Sequence, residues 1–157
     1  MNQPQPNALL TASSYILLIL LWALSLFVYF QVPDVIPVHF NASGVADGHG
    51  TRLFLFIFPT LSTALFFFFG YLASQPQMLN YPVRKTPENQ QALEALGQEC
   101  LLALRSALSL GFMLLLTGIY LAAKNQTNQL GTGYFWAFLG LILGTTGAYI
   151  VKMIRIR

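Results

Sequence analysis

Four long stretches of this chain contain no Asp, Glu, Lys, Arg or His, and they cover residues 1–33, 53–83, 106–123 and 125–151. A helix needs about 20 mostly apolar residues to cross a bilayer. Only 8% of the residues are charged, whereas a soluble domain carries about 25%. The sequence therefore predicts an all-α membrane protein, a single polytopic domain over 1–157. We predict four transmembrane helices, near 12–30, 53–74, 101–123 and 134–153.

The first apolar run has the length of a secretory signal peptide as well as that of a spanning helix. A signal peptide carries a basic segment before its apolar run and a small-residue cleavage site after it. Residues 1–14 contain no Lys or Arg, and the following "LFVYFQVP" lacks an A-x-A pattern. We therefore expect a retained helix.

The basic residues predict how the helices are oriented. With four spans, both termini and loop 75–100 share one side of the membrane, while loops 31–52 and 124–133 share the other. Cytoplasmic segments carry an excess of Lys and Arg. Six basic residues fall on the first side and two on the second. We expect a bacterial cytoplasmic (inner) membrane protein with cytoplasmic termini and an extracytoplasmic loop 31–52. The six are Arg84, Lys85, Arg105, Lys152, Arg155 and Arg157, and the two are Arg52 and Lys124.

The loop between helices one and two is dense in polar residues, and it reads "VPDVIPVHFNASGVADGHGTR" over residues 32–52. Prolines favour extended backbone in the residue that precedes them. Asn41 can accept a hydrogen bond from the backbone two residues on, and Gly44 can adopt a positive φ. Asp47-Gly48 is a strong signal for a second turn. The pattern predicts a short structured, hairpin-like cap on the helices.

Both histidines of the chain lie in this loop, which raises the possibility of a metal site or a catalytic site. His39 and His49, with Asp34 and Asp47, offer ligands for zinc or copper. The His-x9-His spacing matches no strong motif, so the two histidines are low-probability metal candidates. His39 or His49 could serve as a general base, but no nucleophile or oxyanion partner is visible. We expect no catalytic residues, no cofactor and no enzyme, and hydrogen bonds from these side chains to the loop's own backbone.

The pattern P-D-x-I-P-x-H-F-N-A-S-G-x-A-D-G-x-G-x-R at residues 33–52 resembles a small bacterial membrane domain of unknown function. That domain occurs in SdpI-type proteins, which are immunity proteins against a sporulation-delaying peptide toxin. The resemblance covers about residues 15–75 and implies a polytopic membrane protein with an immunity role or, through sequestering a repressor at the membrane, a signalling role. It does not extend over the last two helices. The signature residues are Pro33, Asp34, Pro37, His39, Phe40, Asn41, Gly44, Asp47, Gly48 and Gly50.

Small residues in helix four predict close helix packing. Gly140 and Gly144 form a small-x-x-x-small pair, which Gly147 extends. Such residues let helix backbones approach closely in lipid. We expect packing inside a four-helix bundle, and contact with another subunit is the alternative. In helix three, Gly111 and Gly118 lie one heptad apart.

Three other positions predict local features of the helices. Pro59 removes a backbone hydrogen bond and is expected to kink helix two, with nearby hydroxyls satisfying the freed carbonyls. Thr86-Pro87 predicts a helix start, with Thr86 as the N-cap. Arg105 lies one or two turns inside the cytoplasmic edge and is expected to snorkel towards it.

These observations favour a non-enzymatic membrane protein with an SdpI-like binding, immunity or signalling role through its extracytoplasmic loop. The expected partners are the lipid bilayer and a protein in the membrane or envelope. Nucleic acid is not expected, because the basic residues form no patch with interleaved aromatic residues. One alternative is a small accessory or structural subunit of a larger membrane complex. A second is a metal-site protein that uses its histidines.

Overall fold

The computed structural model describes residues 7–125 and 129–156. It is mostly helical, with a small antiparallel two-stranded sheet between the first two helices. The predicted all-α class therefore needs one correction, since the loop between the first two helices forms a β-hairpin. The helices are α1 (Ala8–Gln31), α2 (Ile57–Ala73), α3 (Gln90–Lys124) and α4 (Thr132–Ile154), the strands are β1 (Val35–Phe40) and β2 (Ala46–Thr51), and short 3-10 helices cover Arg52–Phe56 and Pro76–Met78.

Within the described residues, four helices are long and apolar enough to cross a membrane. The 3-10 helix before α2 forms the start of the second of these segments. Their composition suits a lipid environment and a multi-pass membrane protein. The 35 residues of α3 extend over about 52 Å at the usual rise, more than the roughly 30 Å of a hydrocarbon core. Its first turns therefore precede its apolar part.

Helix α3 is the centre of the molecule, because α1, α2 and α4 all pack on it. Leu21 of α1, Leu55 of the 3-10 helix and Leu116 of α3 are fully buried in one hydrophobic core. Two buried hydroxyls, Ser62 of α2 and Ser109 of α3, share a 3.0 Å hydrogen bond across the helix interface. By contrast, α4 packs chiefly on α3, so it lies at the edge of a three-helix unit.

Close packing between α3 and α4 depends on glycines of α3. A Cβ at Gly111 would lie 2.5 Å from the Phe138 ring, and one at Gly118 would lie 2.5 Å from Leu130. At Gly140, Gly144 and Gly147 an added Cβ would meet no atom within 4 Å. The expectation that these three glycines pack inside the chain is therefore wrong, because the small-residue face of α4 points away from α3.

Pro59 does not kink the middle of a helix. The backbone is 3-10 up to Phe56, and α2 begins at Ile57. Pro59 thus falls in the first helical turn, where a missing N–H costs no intrahelical bond. Thr63 donates its hydroxyl hydrogen to the carbonyl of Pro59 itself at 2.7 Å, and not to the carbonyl four residues earlier that a proline in a helix interior leaves free.

The loop before α3 is folded against the start of that helix. Asn89 and Thr86 exchange hydrogen bonds, with the Thr86 N–H donating to Asn89 Oδ1 at 2.8 Å. Thr86 therefore starts a turn, and α3 itself begins three residues after the expected helical position, at Gln90. Lys85 and Glu94 form a 2.8 Å ion pair, and both side chains are partly buried.

Arg105 does not reach the edge of the helical unit as expected. Its side chain is buried, and its Nε donates a 2.7 Å hydrogen bond to the Phe66 carbonyl of α2.

Candidate functional site

The hairpin formed by β1 and β2 is anchored by the apolar side of β1. Ile36 is fully buried in the hydrophobic core, and Pro37 is also buried. Val38 and Phe40 are partly buried and pack against the same core. The two prolines favour extended backbone, and the apolar residues of β1 then hold the strand against the helices.

Asn41 and Gly44 build the turn of the hairpin. Asn41 Oδ1 accepts hydrogen bonds from the backbone N–H groups of Ser43 at 2.9 Å and Val45 at 3.0 Å. Gly44 has φ +76°, a conformation that side chains with a Cβ rarely adopt. Both roles were predicted from the sequence and are confirmed.

The tip of the hairpin is joined to the loop between α3 and α4. The Leu130 N–H donates to the Gly44 carbonyl at 2.8 Å, and Val45 forms a bridge with Gln129. A Cβ at Gly44 would lie 2.3 Å from the Leu130 oxygen. The two loops therefore lie at the same end of the molecule, which we call the hairpin end.

Arg52 holds the base of the hairpin to the last turn of α1. Its guanidinium forms a 3.0 Å ion pair with Asp34 and lies 4.5 Å from the centre of the Tyr29 ring. It also contacts the carbonyls of Tyr29 and Val32 at 3.5 Å. A cation at a helix C-terminus interacts favourably with the helix dipole. This role was not predicted from the sequence, although Arg52 is the last residue of the pattern at residues 33–52.

The glycines of β2 allow the two strands to pack closely. A Cβ at Gly48 would lie 2.9 Å from the His39 Cβ, and one at Gly50 would lie 3.2 Å from a Val38 methyl. The expectation of a second turn at Asp47-Gly48 is wrong, because both residues lie within β2. Asp47 and Gly48 belong instead to the strand that pairs with β1, and this pairing contains a β-bulge near His39.

The exposed surface of the hairpin carries a histidine beside a carboxylate. His39 Nδ1 and Asp47 Oδ1 lie 2.5 Å apart, with the side chains 72% and 47% exposed. The His39 interaction is thus with a side chain, not with the backbone as expected. His49 is exposed and lies opposite Pro37 in the register.

These positions do not assemble a metal site. The structure pairs His39 with Asp47, while Asp34 is bound to Arg52 at the hairpin base. In residues 7–125 and 129–156, no three His, Cys, Asp or Glu side chains are grouped closely enough to hold an ion. A pair of exposed polar groups on a fixed hairpin is suited to contacting another molecule.

The hairpin lies inside a segment that known proteins share. Residues 16–63 match a family model described as Domain of unknown function (DUF1648). This DUF1648 segment contains most of α1, the whole hairpin and the start of α2. It therefore includes every signature residue from Pro33 to Gly50, together with Arg52.

Helices α3 and α4 lie outside the DUF1648 segment, although α3 supplies much of the surface on which the segment packs. No curated protein and no solved structure matches the chain.

Proposed function

We propose that this chain is a non-enzymatic membrane protein whose hairpin binds a protein or peptide partner outside the bacterial cytoplasmic membrane. One observation carries the proposal. The hairpin is fixed at its base, face and tip by Arg52, Ile36 and Gly44, yet it exposes His39 and Asp47 to solvent.

A fixed hairpin with exposed polar groups is favourable for recognition. Binding costs free energy when mobile loops must become ordered, and a preorganised loop lowers that cost. Functional side chains also occur often on loops that a rigid scaffold positions. The exposed Val35 adds apolar surface near the base, with 61% of it exposed.

The residue pattern supports an SdpI-like role. The DUF1648 match at residues 16–63 lies within the segment of about residues 15–75 that resembles SdpI-type proteins. That resemblance implies a role in toxin immunity or signalling. Binding a toxin that arrives from outside the cell requires the hairpin end to be extracytoplasmic. The excess of basic residues at the opposite end supports this orientation.

Labelling of single cysteines tests the orientation. The chain has one cysteine, Cys100, so Cys100→Ser provides the background. Ser43→Cys lies in the hairpin turn and Gln77→Cys in the loop at the other end, and both positions are exposed. A membrane-impermeant maleimide added to intact cells should label position 43 and leave position 77 unlabelled. The reverse pattern would contradict the orientation.

Partner recovery tests the binding role. The protein is extracted in mild detergent from its native membrane, and the proteins or peptides that remain bound are quantified. The His39→Ala, Asp47→Ala double variant should lose the partner, while Gln77→Ala, at the opposite end, should retain it. Equal recovery by both variants would refute a role for the hairpin surface.

The open face of α4 favours a second candidate, a small accessory subunit of a larger membrane complex. An added Cβ at position 140, 144 or 147 would meet no atom within 4 Å in the described chain. Trp136 and Leu143 on the same helix are 65% and 61% exposed. Co-purification in a fixed ratio with a larger complex, lost on Gly144→Leu and retained in the hairpin variant, would favour this candidate.

A further inference from the structure

A cavity of about 340 Å³ lies at the end opposite the hairpin, between α1, α2 and α3. It is bordered by the start of α1, the last turns of α2 and the first half of α3. One strong cation and several neutral polar groups line it. The residues used below are Thr11, Phe67, Gly70, Tyr71, Gln98 and Arg105.

Arg105 is 7% exposed and lines this cavity. Its Nε bonds to the Phe66 carbonyl, and its guanidinium carbon lies 3.6 Å from the centre of the Phe66 ring. The two terminal nitrogens form no hydrogen bond with any residue in 7–125 or 129–156. Arginine carries five N–H donors, so the four on the terminal nitrogens are not used by these residues.

No acidic side chain neutralises Arg105. All five Asp and Glu residues lie in the described part of the chain. Asp34 and Glu94 form ion pairs with Arg52 and Lys85, and Asp47 contacts His39. Desolvation of a cation without a partner is costly, and the phenyl ring and the carbonyl of Phe66 compensate part of this cost. The terminal nitrogens are not among the buried unpaired side-chain atoms of the described residues, so they are accessible to a ligand.

Gly70 leaves room for the guanidinium beside the cavity. A Cβ at this position would lie 2.3 Å from Arg105 Nη2. Gln98 offers a further donor, because its amide nitrogen uses one N–H on the Ala73 carbonyl at 3.2 Å and has a second. Thr11 donates its hydroxyl hydrogen to the Asn7 carbonyl, so its oxygen can only accept. Among the lining residues, Arg105 therefore carries the most donors and the positive charge, and the Tyr71 hydroxyl is a further donor.

We propose that this cavity binds the phosphate group of an anionic phospholipid through Arg105, with Gln98 as a second donor. The planar guanidinium matches phosphate oxygens in a bidentate geometry. Phe67 and Tyr71 border the cavity and are 67% and 62% exposed on the outside of α2. They provide an apolar surface for acyl chains beside the phosphate, which a free anion would not use. This proposal is independent of the hairpin's role.

Native mass spectrometry of the full chain in neutral detergent tests the proposal. The probes are phosphatidylglycerol and diacylglycerol with the same acyl chains. Because only phosphatidylglycerol offers phosphate oxygens to the guanidinium, wild type should bind it at least about tenfold more tightly. Arg105→Gln should abolish this preference and Gly70→Ala should weaken it. Arg155→Gln, at the exposed end of α4, should keep it.

Two outcomes would overturn the proposal: no preference in wild type, or an equal preference in Arg105→Gln. The first does not depend on whether the variant folds. Inorganic phosphate separates the two sources of the anion. Weak competition by phosphate supports a lipid site. Phosphate binding at least as tight as that of phosphatidylglycerol would identify a free-anion site and overturn the lipid assignment.

Discussion

The backbone N–H of Leu130 donates a 2.8 Å hydrogen bond to the carbonyl of Gly44. This bond joins the tip of the hairpin in the DUF1648 segment to the loop between α3 and α4, which lies outside that segment. The contact therefore ties the hairpin to a segment about 86 positions further along the chain. The hairpin is thus held by residues outside the DUF1648 segment.

Gly44→Ala should destabilise the hairpin. The left-handed conformation costs a residue with a Cβ about 1–2 kcal/mol, and the new Cβ would collide with the Leu130 oxygen. We expect a lower melting temperature in detergent and faster proteolysis at residues 41–46. Gly133→Ala is the matched control, because a Cβ there meets no atom within 4 Å. Equal effects of the two substitutions would show that the tip contact is unimportant.

Gly111→Val should weaken the packing of α4 on α3. The added side chain would overlap the Phe138 ring, and overpacking of this kind costs about 1–3 kcal/mol. Gly140→Val should leave the stability of the isolated chain nearly unchanged, since that position is open. Thermal unfolding of both variants in detergent checks this. A larger loss for Gly140→Val would mean that α4 is oriented differently or that another chain covers it.

The spans and the turn chemistry could be predicted from the sequence because they depend on local rules. Length and hydropathy place the four apolar helices, and Asn41 and Gly44 specify a turn through their own chemistry. The prediction of a turn at Asp47-Gly48 was wrong. The same dipeptide is also compatible with a strand, because the missing Cβ of Gly48 lets His39 of the paired strand pack closely against it. Strand pairing partners decide between the two, and they lie elsewhere in the sequence.

Arg52→Gln should loosen the hairpin base more than Asp34→Asn does. The Asp34 side chain is 85% exposed, and exposed ion pairs contribute at most about 1 kcal/mol. Arg52 also contacts two α1 carbonyls and the Tyr29 ring, so its loss should cost about 1–2 kcal/mol. Amide hydrogen exchange of residues 34–52 measures both effects. Matching exchange rates in the two variants would contradict the role given to the helix contacts.

The loop–α3 contact should respond to acid through Glu94. The hydrogen bond from Lys85 lowers the pKa of Glu94 below 4.5 in the folded protein. The stability that this hydrogen bond contributes is present above pH 4.5 and is lost as the pH falls through the pKa of Glu94 in the folded protein. As the pH falls below 4.5, the free energy of unfolding should therefore decrease less in Glu94→Gln than in wild type. Parallel acid dependence of the two proteins would contradict this.

Tyr81 should respond to alkali with the opposite sign. Burial, and to a lesser extent the charge of Glu94, raise the pKa of Tyr81 from 10.0 to about 12. The neutral phenol donates a 2.6 Å hydrogen bond to the Pro76 carbonyl. The associated stability is present below pH 10.0 and is lost as the pH rises through about 12. In a tyrosinate titration, Tyr81→Phe should remove a phenol that ionises near pH 12. Removal of a phenol that ionises near pH 10.0 would refute this.

The orientation of α4 and the environment of Arg105 could not be predicted from the sequence. A glycine pattern shows which helix face is small but not which helix it meets, and the small face here points outward. Sequence position placed Arg105 near an edge, where a long side chain usually snorkels. The open space at Gly70 and the Phe66 carbonyl hold it inside instead.

The most direct test of the binding role is photo-crosslinking in native membranes, with a photoreactive amino acid placed at His49 or, as the comparison, at Leu143 on the open face of α4. Both positions are exposed. The account predicts a discrete adduct from position 49 that disappears in the His39→Ala, Asp47→Ala background. An adduct from position 143 with none from position 49 would contradict it.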